Sequence, residues 1–142
     1  IHDVEGAQTR FVAVRRPQAP RPPTGNDKTT LLLFPHDDHP GGLLEILAEF
    51  AKQGINLARL ESRPTGDGLG QYCFSIDAEG HINDEAMGKA LSGLRAICAD
   101  IRYLGSYPKA PAMPSSARRS VRANAKKDAG EWLEELRQGR TP

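Results

Sequence analysis

The best candidate for a binding site in the sequence is a loop of charged residues and glycines just before a predicted helix. Asp37 and Asp38 come shortly before the pair Gly41-Gly42. Glycines at a helix start leave backbone N–H groups open, and a helix N-terminus attracts a carboxylate or a phosphate. The neighbouring aspartates can hold an ammonium group. The loop therefore suits a zwitterion, that is, a free amino acid. The alternative is an ordinary capped helix after a tight glycine turn.

Apolar residues that follow this loop in the sequence complete a candidate binding site. Leu43, Leu44 and Leu60 can supply an apolar wall. The candidates from this part of the chain are Asp38, His39, Pro40, Gly41, Gly42, Leu43, Leu44 and Leu60. We also expect Asp38 or His39 to cap the helix, because a polar side chain at this position accepts hydrogen bonds from the first turn.

Four strands and two helices are predicted to position these residues. Continuous or alternating apolar runs predict strands, and apolar residues at helical spacing predict helices. The strands are expected at 29–34, 55–63, 69–78 and 101–107, and the helices at 43–53 and 84–98. In the first helix, Leu43, Leu47 and Phe50 are expected to line the buried face, with Leu44 and Ile46 beside it. The order β-α-β-β-α-β predicts an α+β, ferredoxin-like fold: a four-stranded antiparallel sheet with both helices on one face.

Charge and proline content divide the 142 residues into four segments. Residues 1–14 end in an apolar run at 11–14, predicted to be a strand, and residues 15–28 contain four prolines, which favours an extended linker. Residues 29–107 form the predicted folded unit, with a net charge of −5 from six basic and eleven acidic residues. Residues 108–142 are basic, with a short helix predicted at 128–137. The first residue is isoleucine, so we expect a piece of a longer chain or a processed product.

The composition excludes some classes of protein. No stretch approaches the roughly 20 apolar residues of a membrane-spanning helix. The two cysteines cannot form a disulfide framework and fit a reducing compartment, which predicts a cytoplasmic protein. Both Cys73 and Cys98 are expected to be buried packing residues.

Three motifs resemble those of a known family. A β-α-β-β-α-β unit whose first helix opens with Pro-Gly-Gly-Leu resembles an ACT domain, the amino-acid-sensing regulatory module. The run Glu61-Ser62-Arg63-Pro64 is similar to the Glu-Ser-Arg-Pro motif of the ACT domain in the prephenate dehydratase family. Upstream, Thr9-Arg10-Phe11 resembles the motif that closes the catalytic domain of that family. The resemblance covers about residues 5–107, with the motifs in the family's order.

The resemblance implies an effector and a partner. In the family, a Gly-Ala-Leu-Val motif and the Glu-Ser-Arg-Pro run bind L-phenylalanine between two subunits. The first motif matches Gly41-Gly42-Leu43-Leu44, in which Gly42 replaces alanine and Leu44 replaces valine. The second adds Glu61, Ser62, Arg63 and Pro64 to the candidate effector site. The implied partners are thus L-phenylalanine and further copies of the chain, as a dimer or a tetramer formed by paired ACT domains.

The resemblance also implies a parent enzyme, a lyase that removes carbon dioxide and water from prephenate. Thr9 matches a catalytic threonine of the family, where it is thought to help the hydroxyl group leave. Residues 1–28 cannot build a substrate pocket, so we expect residues 1–14 to be a catalytic-domain remnant and the chain itself to be inactive. Residues 29–107 would then be the regulatory ACT domain, which mediates feedback control of phenylalanine biosynthesis.

Three other interpretations stay open at this stage. One is an amino-acid-binding ACT module of another enzyme. A ferredoxin-like RNA-binding domain would need exposed aromatics, for which Phe34, Tyr72 and Phe74 are the candidates, but its folded unit would usually be positively charged. His36 and His39 form a possible metal cluster with the two aspartates between them, yet their spacing matches no zinc motif. We predict no metal, no cofactor, no nucleic acid and no membrane partner.

Overall fold

The structure, a computed structural model, describes residues 11–66, 72–111, 133–134 and 136–139. In chain order, residues 27–108 form β1 (Asp27–Pro35), α1 (Gly42–Lys52), β2 (Leu57–Pro64), β3 (Tyr72–Glu79), α2 (Glu85–Ile97) and β4 (Cys98–Pro108). The sheet has the order β2-β3-β1-β4, and every neighbouring pair is antiparallel. The predicted α+β, ferredoxin-like fold is confirmed. Residues 110–142 belong to a separate unit.

The core lies between one face of this sheet and the two helices. Side chains of a strand alternate between faces, and Leu31 and Leu33 of β1 are fully buried opposite Ile76 and Phe74 of β3. The helices add Ile46, Phe50, Met87, Ala90 and Leu94 to the same cluster. Burial of one such large aliphatic or aromatic side chain contributes about 1.5–3 kcal/mol. Both cysteines are buried and free, as predicted.

The first helix buries only part of the predicted set: Phe50 is buried, Leu47 is partly buried and Leu43 is exposed. Ile46 and Phe50, four residues apart, are its two buried side chains. Leu43 is 37% exposed and Leu44 is 69% exposed. Leu44 lies two residues from Ile46, and a separation of about 200° around the helix axis points it away from the core. The two leucines of the first turn are therefore accessible in a single chain.

Two further predictions differ from the structure or lie outside it. The predicted strand at 11–14 is wrong, because residues 11–24 have no regular secondary structure and Phe11 is 87% exposed. An extended run this short needs a neighbouring strand to satisfy its backbone. The start of the strand predicted at 69–78 and most of the helix predicted at 128–137 lie outside the described residues. Among the residues described, no helix is long and apolar enough to cross a bilayer.

Candidate functional site

The loop between β1 and α1 ends in a turn that depends on glycine. Gly41 is the N-cap of α1, with a φ of 97° that side-chain-bearing residues rarely adopt. The Gly42 N–H donates to the His39 carbonyl at 3.1 Å, which closes the turn. The prediction that both glycine amides are open is therefore wrong for Gly42. Within the described part of the chain, the amides of Leu43 and Leu44 have no acceptor and project from the helix N-terminus.

His39 links the loop to the helix but does not cap it. Its Nε2 lies 3.3 Å from Glu45 Oε1 and its Nδ1 lies 3.3 Å from the Asp37 carbonyl oxygen. Both partners are acceptors, so the protonated ring satisfies both contacts at once. The hydrogen bond to Glu45, followed by the one to Asp37, raises the pKa of His39 above its ordinary value. The prediction that Asp38 or His39 caps α1 is wrong, because the cap residue is Gly41.

The ring of His39 also explains the second glycine. A Cβ atom added to Gly42 would lie 3.2 Å from His39 Cε1, which is closer than ordinary van der Waals contact. The absence of a side chain at Gly42 therefore lets the imidazole lie against the start of the helix. A side chain at this position would displace the His39 ring.

The loop residue Asp38 is hydrogen-bonded by a residue of β3. The Tyr72 hydroxyl donates a hydrogen bond to Asp38 Oδ1. This bond raises the pKa of Tyr72, because the carboxylate stabilises the neutral phenol. Tyr72 stands opposite Pro64 in the β2–β3 register, and its ring meets Phe74 edge-on at 5.7 Å between centroids. The sequence placed Tyr72 on a strand face but gave no signal for this contact, which depends on strand register.

Alternation along β2 divides the second motif between the two faces of the sheet. Leu60, Ser62 and Pro64 stand opposite Ile76, Phe74 and Tyr72, so they share the helix-covered face. Glu61 and Arg63 point to the other face, where the Glu61 carboxylate bonds Arg63 at 2.9 Å and Arg59 at 3.1 Å. The hydrogen bond from Arg63, then that from Arg59, lowers the pKa of Glu61. Within one chain, Glu61 and Arg63 are thus directed away from the face that carries Leu60, Ser62 and Pro64.

The remaining candidate residues divide into exposed and undescribed ones. Leu60 is 39% exposed and Pro40 is exposed at the loop. Thr9 and Arg10 lie outside the described residues, and Phe11 lies in the irregular segment. Phe74 is buried in the core, so the face that an RNA-binding interpretation needs for stacking lacks it. In the described residues, no three His, Cys, Asp or Glu side chains group as metal ligands.

Comparison with known proteins identifies what the chain resembles. The sequence profile of the ACT domain matches residues 30–96. The chain is 45% identical over 140 residues to prephenate dehydratase of Mycobacterium bovis (strain BCG / Pasteur 1173P2), covering 99% of this chain and 41% of that protein. It spans less than half the length of the curated relatives it matches. The similarity includes nearly all residues on both sides of the ACT domain.

Solved structures with the same fold extend the comparison. The crystal structure of prephenate dehydratase from Arthrobacter aurescens in complex with L-Phe has 45% sequence identity and a TM-score of 0.64, covering 87% of this chain and 40% of that one. A protein described as a novel type of quorum quenching acylase, GqqA, has 35% identity and a TM-score of 0.62, covering 68% of this chain and 35% of that one.

Proposed function

The chain contains an ACT domain and is homologous to the C-terminal, ACT-containing part of prephenate dehydratases; on this premise, we propose that it binds L-phenylalanine as an allosteric effector. One observation carries the proposal. The left-handed turn at Gly41 brings the amides of Leu43 and Leu44 to a helix N-terminus in the same loop as the Asp38 carboxylate. The helix N-terminus attracts the carboxylate of a zwitterion and the Asp38 carboxylate attracts its ammonium group. The A. aurescens relative was solved in complex with L-Phe.

Each part of the effector has a complementary group in this loop, in the first turn of α1 or on β2. The effector carboxylate accepts hydrogen bonds from the Leu43 and Leu44 amides, where the helix dipole favours negative charge. The effector ammonium binds Asp38, whose carboxylate has room for further donors beside the Tyr72 hydroxyl. The phenyl ring contacts the exposed leucines Leu43, Leu44 and Leu60, which otherwise present apolar surface to water.

We propose that a second copy of the chain completes the site. Strand β2 lies at the edge of the sheet, so within the described residues the outer backbone groups of 57–64 have no neighbouring strand. Pairing of two such domains covers an edge and brings Glu61, Ser62, Arg63 and Pro64 of one copy toward the Gly41 loop of the other. Whether the assembly is a dimer or a tetramer is decided by multi-angle light scattering on the 142-residue chain, with and without L-phenylalanine.

The regulated activity is the conversion of prephenate to phenylpyruvate by the parent enzyme. We assign residues 1–14, with Thr9, Arg10 and Phe11, to the end of the catalytic domain and residues 15–28 to the linker that transmits the change. The boundaries 29–107 for the ACT domain and 108–142 for the tail belong to the same proposal, as does a cytoplasmic location. Effector binding shifts the equilibrium between two domain arrangements, and such coupling is typically about 1–3 kcal/mol.

Isothermal titration calorimetry of the 142-residue chain tests the binding proposal. We expect saturable binding of L-phenylalanine, weaker binding of D-phenylalanine, and much weaker binding of 3-phenylpropionate, which lacks the ammonium group. Asp38→Asn is expected to weaken L-phenylalanine binding, whereas Asp37→Asn, in the same loop, serves as the matched control. No heat and no thermal shift at millimolar L-phenylalanine contradict the proposal. A larger thermal shift with another amino acid favours an ACT module of different specificity.

A further inference from the structure

Tyr72 connects three parts of the molecule that the candidate site needs. Its hydroxyl donates to Asp38 in the β1–α1 loop, its ring packs edge-on against the buried Phe74, and its backbone stands opposite Pro64 at the end of β2. The two hydrogen-bonding residues are 34 positions apart in the sequence. The Tyr72 hydroxyl thus connects the exposed Asp38 carboxylate of the loop to the sheet by a hydrogen bond.

We propose that Tyr72 is the positioning residue of the effector site: it holds the Asp38 carboxylate where the effector's ammonium group binds. This inference rests on the proposed function, because it assigns the ammonium group to Asp38. Tyr72 acts through Asp38 and does not itself bind the effector. It determines how strongly the site prefers an amino acid over an aromatic acid that lacks the ammonium group.

The chemistry of the phenol suits this task. A lysine or arginine in the same place would orient Asp38 but would also neutralise its charge and compete with the effector's ammonium group. A neutral hydroxyl orients the carboxylate and leaves its full negative charge to the effector. Both cationic side chains of β2, Arg59 and Arg63, are bound to Glu61 on the other face of the sheet.

The anchoring of the ring determines how firmly the carboxylate is held. The exposed loop at residues 36–41 has no regular secondary structure of its own beyond its turn. An exposed carboxylate in such a loop loses rotamer freedom when it binds a ligand, which weakens binding. The contact of the Tyr72 ring with Phe74, which is 6% exposed, places the hydroxyl at a position set by the core. Part of the ordering of Asp38 is therefore complete before the effector arrives.

Tyr72→Phe in the 142-residue chain tests the proposal, with Tyr103→Phe as the matched control. Tyr103 lies on β4, two strands away, and its hydroxyl bonds Ser106 at 3.1 Å. Calorimetry measures the affinity of each variant for L-phenylalanine and for 3-phenylpropionate. We expect Tyr72→Phe to weaken L-phenylalanine binding about tenfold while 3-phenylpropionate binding stays unchanged. In the double variant with Asp38→Asn, the loss is no greater than for Asp38→Asn by itself, because both changes remove one interaction.

A role limited to stability gives a different result. Equal weakening of both ligands by Tyr72→Phe, or no weakening of either, overturns the positioning role. Amide hydrogen exchange of the ligand-free chain provides a readout that does not depend on binding: we expect faster exchange in residues 36–45 of Tyr72→Phe and no change in residues 85–97. If the wild-type chain binds neither compound, the proposed function fails together with the effector role of Tyr72. The exchange result then still decides whether Tyr72 holds the loop.

Discussion

The guanidinium of Arg59 on β2 forms a two-pronged contact with the carboxylate of Asp77 on β3, with Nε and Nη2 lying 3.3 and 3.2 Å from its two oxygens. Asp77 is only 1% exposed, although it points to the sheet face that the helices do not cover. Thr30 donates to the same carboxylate at 2.7 Å, and Lys28 lies 3.4 Å away. The uncovered face is therefore closed by a polar network of its own side chains.

Removal of the buried carboxylate tests how much this network stabilises the fold. Asp77→Ala removes the acceptor that Arg59, Lys28 and Thr30 share, although Arg59 keeps its ion pair with Glu61. We expect a loss of about 2 kcal/mol in the free energy of unfolding. Urea denaturation followed by circular dichroism measures it. Asp100→Ala removes an exposed ion pair with Arg102, at 3.1 Å, and is expected to cost under about 1 kcal/mol. Equal losses in the two variants would contradict a special role for Asp77.

Replacement of Gly41 and of Gly88 by alanine is expected to change the stability of the fold in opposite directions. Gly41→Ala places a Cβ at a φ of 97°, and we expect a destabilisation of about 1–2 kcal/mol. Gly88 lies inside α2 with open space at its Cβ position. Gly88→Ala is expected to stabilise the chain by about 0.5–1 kcal/mol through helix propensity. Thermal and urea unfolding of both variants measure the difference. An unchanged stability of Gly41→Ala would show that the turn does not require the left-handed backbone conformation.

The raised pKa of His39 predicts a pH-dependent link between the loop and α1. The hydrogen bond to Glu45, the largest cause of the shift, stabilises the charged ring. The contribution of this pair to stability is thus fully present below the ordinary histidine pKa of 6.5 and is lost as the pH rises through the higher folded-state value. An NMR titration of the His39 ring is expected to show a lower pKa in Glu45→Gln than in the wild type.

The control for this titration is Glu85→Gln in the first turn of α2, whose carboxylate pairs with Lys89 at 2.6 Å. It removes an equivalent charge from the other helix and is expected to leave the His39 titration unchanged. A His39 pKa that is the same in Glu45→Gln and the wild type would show that the contact between His39 and Glu45 is not formed in solution.

The hydrogen bond between Tyr72 and Asp38 predicts a measurable change in the phenol. Asp38 stabilises the neutral form of Tyr72, so its pKa lies above the ordinary tyrosine value of 10.0. The stabilisation from this bond is present below that value and is lost as the pH rises through the folded-state pKa. Asp38→Asn removes the negative charge, and we expect the pKa of Tyr72 to fall. An NMR titration of the tyrosine rings measures the pKa of Tyr72. The control is Asp37→Asn, which is expected to leave this pKa unchanged.

Much of the fold could be predicted from the sequence because its signals are local. The apolar run ending at Phe34 and the period of the second helix depend on neighbouring residues, and both elements form where expected to within a few residues. The turn before α1 was likewise predictable, because glycine is the residue that favours a positive φ there. The burial of Cys73 on β3 and of Cys98 at the junction of α2 and β4 was also predicted.

The sequence by itself determined the element order, the sheet with its helix-covered face and the glycine turn of the candidate site, since periodicity and backbone sterics act over a few residues. Only the tertiary structure decided that Tyr72 holds Asp38, that His39 bonds Glu45 without capping the helix, and that Leu44 remains exposed. These contacts depend on strand register and on the direction in which α1 presents its first turn. Such through-space relationships arise when the whole sheet and its helices pack together, and no short stretch of residues encodes them.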